Sequence, residues 1–248
     1  DNDPMALNDE MPAVAIRSGL VAIIGRANVG KSTLVNKLVG QKVSIVSPKP
    51  HTTRHRLLGI LSGEGFQVGL LDTPGYLVKG QDQLDAAMSR QSATALVEAD
   101  VILLVVEPRR PGDVEIHFMD QFYKAKTPVI LVVNKVDSVQ KGRLLPVIEA
   151  YAKAYAFEEI VPVSALQEDG LDLLVQLLKR HLPREEFLYD PDLVTDRSLR
   201  FLMGEVIREK VFLYFDKEVP YFVAVEIDDF EERDGTQSDY LRASIYVD

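Results

Sequence analysis

From Leu20 onward, short runs that are apolar throughout alternate with longer stretches in which apolar residues recur every three or four positions. The apolar runs are Leu20–Ile24, Phe66–Leu71, Val101–Val106, Val129–Val133 and Ile160–Val163. Lys31–Val39 has helical spacing, with Leu34, Val35 and Leu38 on one face, and so do Leu84–Val97, Asp113–Ala125, Arg143–Ala156 and Leu171–His181. Strands buried on both faces and separated by helices predict an α/β fold with a doubly wound, mostly parallel sheet.

The pattern changes at both ends. Asp1 to Ala15 is acidic and contains proline but has no apolar core of signal-peptide type, so residues 1–18 read as a flexible tail. After an α/β unit spanning 19–182, Pro183, Glu185, Glu186, Asp190, Pro191 and Asp192 interrupt the periodicity, and 183–196 reads as a linker. Ser198–Phe215 then returns to helical spacing. Tyr221–Ile227 and Leu241–Val247 alternate as strands, with Asp234-Gly235 placed in the turn between them. A helix and a hairpin are too little to bury a core alone. No internal repeat is visible.

Composition narrows the chemistry. The 248 residues are 46% hydrophobic and 27% charged, which is ordinary globular usage, and no apolar run approaches the ~20 residues of a membrane helix. The absence of cysteine excludes a disulfide scaffold, a thiolate zinc site and a cysteine nucleophile. Four scattered histidines do not make a metal cage. The net charge of −10 gives no overall attraction to nucleic acid; no DNA partner is expected, and any RNA contact must come from a local patch.

Four short motifs then fall at the ends of the predicted strands. Gly25-Arg-Ala-Asn-Val-Gly30-Lys31-Ser32 fits G-x-x-x-x-G-K-[ST] between a strand and a helix, the context of a P-loop NTPase. Backbone N–H groups of such a loop close around anionic oxygens at the positive end of the helix. Lys31 is expected to reach the β- and γ-phosphates, and the Ser32 hydroxyl to ligate Mg²⁺. Asp72-Thr73-Pro74-Gly75 follows the second apolar run: the carboxylate can hold Mg²⁺ through a water, and the Gly75 N–H can meet the γ-phosphate. Asn134-Lys135-Val136-Asp137 ends the fourth run. A carboxylate there can accept both N1–H and N2–H₂ of guanine, a donor pair that adenine lacks, which disfavours an ATPase. Ser164-Ala165-Leu166 ends the fifth run, where a backbone N–H can meet guanine O6. Together these place a ligand at the C-terminal edge of an open α/β sheet.

The expected GTP-binding set is thus Gly25, Asn28, Val29, Gly30, Lys31, Ser32 and Thr33, with Asp72, Thr73, Gly75, Asn134, Lys135, Asp137, Ser164, Ala165 and Leu166. Between the first two motifs, Gln41 to Arg56 includes His51-Thr52-Thr53-Arg54-His55. A GTPase switch needs a Thr that ligates Mg²⁺ while the γ-phosphate is present. Thr53 is favoured and Thr52 is the alternative, so the metal set is Ser32, Thr53 and Asp72, and the catalytic set is Lys31, Thr53, Gly75 and Asn28.

These motifs, with Gln41-Lys-Val-Ser-Ile-Val46 and Thr52–Arg56, resemble the translation-factor-like GTPases of bacteria, and within them a ribosome-assembly group in which one GTPase domain precedes a KH domain. Sister families with tandem GTPase domains fit less well, because one set of motifs is present. Ile207-Arg-Glu-Lys210 and Val219-Pro-Tyr-Phe-Val-Ala-Val-Glu226 are similar to the opening of that KH domain, of the α+β type II kind. The resemblance implies slow GTP hydrolysis as a switch in small-subunit assembly. It also implies binding of 3′-end small-subunit ribosomal RNA and the 30S subunit, and a cytoplasmic location. It further implies peripheral contact with the inner face of the cell membrane, which no basic amphipathic helix in this sequence supports. A GTP sensor or RNA-binding scaffold is the competing reading. The RNA-clamping Gly-x-x-Gly loop of KH domains is not found after the second strand, so 197–248 reads as the N-terminal part of such a domain. From Asp196 onward there are 7 Lys+Arg against 13 Asp+Glu.

Tyr76 stands where Ras-like proteins place a water-orienting Gln. Unassisted turnover is therefore expected near ~10⁻⁴–10⁻² s⁻¹. Asn28 suggests a substitute for an arginine finger, its amide oxygen helping to hold K⁺ near the β–γ bridge. The competing explanation is that Asn suits a left-handed loop position.

Overall fold

The computed structural model describes residues 16–47, 49, 52–53, 56–75, 92–183, 186–215, 223–233 and 238–247. The expected N-terminal tail up to Ala15, the stretch from Tyr76 to Gln91 with the first half of the expected Leu84–Val97 helix, and the Asp234-Gly235 turn lie outside them. In chain order the first unit contains β1 (Arg17–Ile24), α1 (Lys31–Val39), β2 (Leu57–Gly63), β3 (Phe66–Asp72), a helix α2 (92–98) and β4 (Val101–Val106). It continues with α3 (Asp113–Ala125), β5 (Val129–Val133), α4 (Leu144–Ala154), β6 (Glu159–Pro162) and α5 (Leu171–His181).

The six strands form one sheet in the order β2-β3-β1-β4-β5-β6. All neighbouring pairs are parallel except β2–β3. β2 is a strand that hydropathy did not predict. It pairs with β3 across a two-residue connection, Glu64-Gly65, so no crossover helix announces it. Its Gly59 lies where a Cβ would come within 2.9 Å of Val35 on α1. Glycine there weakens the apolar pattern and permits the close approach.

β1 also starts earlier than expected, inside the stretch read as tail. Arg17 N–H donates to the Gly65 carbonyl at 3.0 Å, and its guanidinium donates to the Arg180 carbonyl at 2.9 Å, at the negative end of α5.

Side chains alternate across the sheet, so each apolar run feeds two cores. Val101, Leu103 and Val105 of β4 pack with Leu34, Val35 and Leu38 of α1 and Leu174 and Leu178 of α5. Ile102, Leu104 and Val106 pack on the other face with Phe118, Met119 and Phe122 of α3 and with Val147 and Tyr151 of α4. Tyr151, Tyr155 and Phe157 form an aromatic group within that second core, as packing residues.

The segment read as a linker is docked along the sheet. Gln67 and Tyr189 exchange two hydrogen bonds, Nε2 to the Tyr189 carbonyl at 3.0 Å and Tyr189 N–H to Oε1 at 2.8 Å. Ile60 N–H donates to the Val194 carbonyl at 2.8 Å, and Thr195 bridges to Gly59. This extends the β2 edge and leads into α6 (Leu199–Tyr214), capped by the Ser198 hydroxyl, which accepts from Phe201 N–H. An antiparallel pair, β7 (Val223–Glu231) and β8 (Tyr240–Val247), follows, and β7 packs on α6.

Candidate nucleotide and metal site

The loop from Gly25 to Gly30 joins β1 to α1 at the C-terminal edge of the sheet. Gly30 has φ 98°, a left-handed conformation that L side chains resist, and a Cβ there would lie 2.3 Å from Asn134 Nδ2. Lys31, the first residue of α1, is 6% exposed. Its ammonium folds back over the loop and donates to the carbonyls of Gly25 at 3.1 Å and Arg26 at 2.8 Å. Burial lowers its pKa to about 8, with the nearby Asp72 carboxylate opposing that shift. The loop borders a cavity of about 530 Å³, also lined by Thr52, Thr53, Gly75 and Lys135, and by Leu213 from α6.

Three oxygens of the expected metal set converge. Ser32 Oγ donates to Asp72 Oδ2 at 2.7 Å and lies 3.1 Å from Thr53 Oγ1. Asp72 Oδ2 also accepts from Ser44 Oγ at 2.7 Å, whereas Oδ1 is buried with no hydrogen-bond partner among the described residues. Burial raises the Asp72 pKa above the usual carboxylate range, while Lys31 and the two serine hydroxyls pull it back. An orphaned carboxylate oxygen beside two hydroxyls is a hard-oxygen donor set that fits Mg²⁺, which keeps waters and phosphate oxygens as its other ligands. Thr52 differs from its neighbour: its hydroxyl lies 2.7 Å from Ser47 Oγ and donates to the Lys49 carbonyl at 2.6 Å.

The other motifs meet the loop through a buried amide. Asn134 Nδ2 donates to the Val29 carbonyl and Asn134 Oδ1 accepts from the Ala165 N–H, both at 2.9 Å, so one side chain joins three loops. Lys135 Nζ donates to the Asn28 carbonyl at 2.6 Å and to Glu107 at 2.7 Å. Asp137 is exposed, and its Oδ1 accepts from Ser164 Oγ at 2.5 Å. Gly75 approaches the loop so closely that a Cβ would stand 2.5 Å from Ala27 Cα. The Thr73 hydroxyl is buried and donates to the Ile23 carbonyl, which gives it a structural use. Thr33 is half-buried on α1, and the Leu166 side chain is exposed. Asn28 has φ 65°, so the left-handed conformation alone gives Asn a reason to be there.

Sequence reasoning missed Ser44, Asn36 and Glu107. Asn36 Oδ1 accepts from the N–H groups of Val43 and Ser44, and its Nδ2 donates to the Ser44 carbonyl. That clamp holds Ser44 against Asp72. No sequence signal singled Asn36 out, because α1 also carries Ser32, Thr33 and Lys37.

These features, strand–loop–helix phosphate geometry plus a separate base-side loop, define a GTPase of the P-loop class. In agreement, the family described as 50S ribosome-binding GTPase matches residues 20–135. GTPase Era of Geobacter metallireducens is 44% identical over 233 residues, covering 94% of this chain and 78% of that protein. GTPase Era of Ruminiclostridium cellulolyticum is 40% identical over 237 residues, covering 95% and 78%. Among solved structures, Era in complex with MgGDPNP and nucleotides 1506–1542 of 16S ribosomal RNA superposes with a TM-score of 0.87 at 38% identity, covering 94% of this chain and 80% of that one. A single-residue variant of Aquifex aeolicus Era bound to GDP·AlF₄⁻ gives the same values. The chain belongs to the Era family of GTPases.

Proposed function

We propose that this GTPase works as a slow switch in small ribosomal subunit assembly, binding GTP and GDP at the cavity bounded by Gly25–Thr33 and small-subunit ribosomal RNA through the domain that begins near residue 197. The similar Era structure that contains MgGDPNP and 16S ribosomal RNA supports both halves of this reading. The segment 197–248 is read as the N-terminal part of a KH domain, and 19–182 as the GTPase domain. The proposed location is cytoplasmic. Among the described residues no helix is long and apolar enough to cross a membrane, and peripheral membrane contact belongs to the resemblance alone.

The observation that carries the reading is the Asn134 amide, which ties the phosphate loop to both base-side loops through two bonds of 2.9 Å. Lys31 exchanges its carbonyl partners for β- and γ-phosphate oxygens. Asp137 accepts N1–H and N2–H₂ of guanine, steadied by Ser164, while the Ala165 N–H is already engaged by Asn134, so the neighbouring main chain at Leu166 meets O6. Gly75 brings its N–H to the γ-phosphate from beside Ala27. The hydroxyls of Ser32 and Thr53, and Asp72 through a water, would hold Mg²⁺, which would supply positive charge against the phosphates of the transferred group. Asn28 offers an amide oxygen for K⁺ on the exposed side of the loop.

The test of the base assignment is Asp137→Asn, which should weaken GTP binding about 100-fold and admit xanthosine triphosphate. Unchanged GTP affinity overturns it. Single-turnover hydrolysis with and without small-subunit RNA separates switch from scaffold, since only the switch is accelerated. For the ion, hydrolysis is expected to run faster in K⁺ than in Na⁺, with that difference lost in Asn28→Ala; equal rates in both salts, with Asn28→Ala unchanged, remove the proposal.

A further inference from the structure

Two buried charged residues of α6 reach away from their own hairpin, into the loop that carries Thr53. Arg208 and Glu209 are each 4% exposed. Arg208 Nη2 donates to the Thr52 carbonyl at 2.8 Å. Its guanidinium is held in a fork by Glu205, through Nε to Oε1 and Nη2 to Oε2, each at 2.7 Å, and lies 5.4 Å from the Phe212 ring. Glu209 Oε2 accepts from the Val46 N–H at 3.0 Å, and its Oε1 accepts from Lys42 Nζ at 2.6 Å. Consecutive residues of one helix thus hold three points of one loop.

The Thr52 carbonyl is the acceptor that matters. It belongs to the same planar peptide unit as the Thr53 amide, so fixing that oxygen fixes the direction in which the chain enters Thr53. Thr53 Oγ1 then stands 3.1 Å from Ser32 Oγ, which in turn bonds Asp72. The Thr52 side chain is already locked inside the loop by Ser47 and Lys49, leaving its carbonyl to face α6. Burying a guanidinium is costly unless its hydrogen bonds are well made. Here Nη1 is buried without a partner among the described residues, so the charge is retained in spite of an incomplete set of bonds.

We propose that Arg208 is a positioning residue for GTP hydrolysis: from the C-terminal segment it holds the 52–53 peptide so that Thr53 completes the metal site with Ser32 and Asp72. This rests on the reading of those three oxygens as the Mg²⁺ site. Removal of a group that orients a metal ligand typically costs 10–100-fold in metal affinity or activity. Thr53 is needed while the γ-phosphate is present, so the loss falls on GTP and spares GDP.

The experiment measures single-turnover GTP hydrolysis against Mg²⁺ concentration, and GDP affinity, for the full chain and for Arg208→Ala, Arg208→Lys and Thr53→Ala. Arg208→Ala should raise the half-saturating Mg²⁺ concentration about tenfold and slow hydrolysis, with GDP affinity within about twofold of the parent. Arg208→Lys keeps the charge and can still donate but loses the planar fork, and should fall between the parent and Arg208→Ala. It carries the test if the alanine variant does not fold. Folded Arg208 variants with unshifted Mg²⁺ dependence, or with GDP affinity falling about as far as the hydrolysis rate, overturn the proposal. If Thr53→Ala leaves the Mg²⁺ dependence unshifted, the reading of the metal site itself fails, and the inference fails with it. If Thr53→Ala shifts it and Arg208→Ala does not, only the role of Arg208 is lost.

Discussion

Asn134→Ala is the perturbation with the most calculable consequence. The side chain is 2% exposed and serves two main-chain groups, the Val29 carbonyl and the Ala165 N–H, on residues that are themselves 2% and 1% exposed. Truncation removes both bonds and leaves both groups buried without partners. Orphaning a buried polar group costs about 1–3 kcal/mol, so the pair costs about 2–6 kcal/mol. For a domain of this size that corresponds to a fall in Tm of roughly 5–20 °C. The same change unties the phosphate loop from the base-side loops, so affinity for GDP should fall at least about tenfold. Asn134→Asp sharpens the test: it keeps the acceptor for Ala165 but sets a buried carboxylate against the Val29 carbonyl, and should destabilise at least as much at neutral pH. Thermal unfolding of the nucleotide-free protein and titration with a fluorescent GDP analogue read both effects. A Tm within about 2 °C of the parent, together with unchanged affinity, would refute the reasoning, because the loops would then be held by something other than this amide.

Gly30→Ala should abolish tight nucleotide binding and lower stability by roughly 1–3 kcal/mol, since the new methyl meets Asn134 Nδ2 at 2.3 Å and φ is 98°. Calorimetry with GDP checks this, and binding at parental affinity would contradict the loop geometry. Lys31 gives a pH dependence. Its folded pKa of about 8 lies below the ordinary 10.5, so between those values the unfolded chain holds a proton that the folded chain has released. Stability from this group therefore rises with pH across that window, by at most about 1.4 kcal/mol per pH unit, and is flat below it. Urea unfolding of the nucleotide-free protein should show the rise, and Lys31→Met should remove it; identical slopes in both would count against a buried ammonium.

Much of the fold was legible because burial leaves a record in local sequence. Five of the six sheet strands, the long helices and all four nucleotide motifs could be placed from apolar runs and from residue types whose chemistry needs a particular spacing. β2 was not legible: a hairpin partner needs no crossover helix, and Gly59, required by the approach of α1, breaks the apolar run. The four motifs pointed to the candidate site, but not to the amide that joins them. Nothing in the tetrapeptide Asn134–Asp137 says that its first side chain bonds Val29, 105 residues earlier.

Short-range information by itself therefore placed five of the six sheet strands and the helices between them, marked which residues are apolar enough to bury, and led to the expectation of phosphate and guanine chemistry at the strand ends. Only the tertiary structure decided how the β4 run divides between two cores, with Leu103 facing α1 and α5 and its neighbour Leu104 facing α3. Only it decided that Thr53 rather than Thr52 turns toward Ser32, and that Arg208 on a distant helix holds the peptide between them. The reason is physical: secondary structure follows periods of two and 3.6 residues, whereas a site is closed by hydrogen bonds whose partners are neighbours only after the chain has folded.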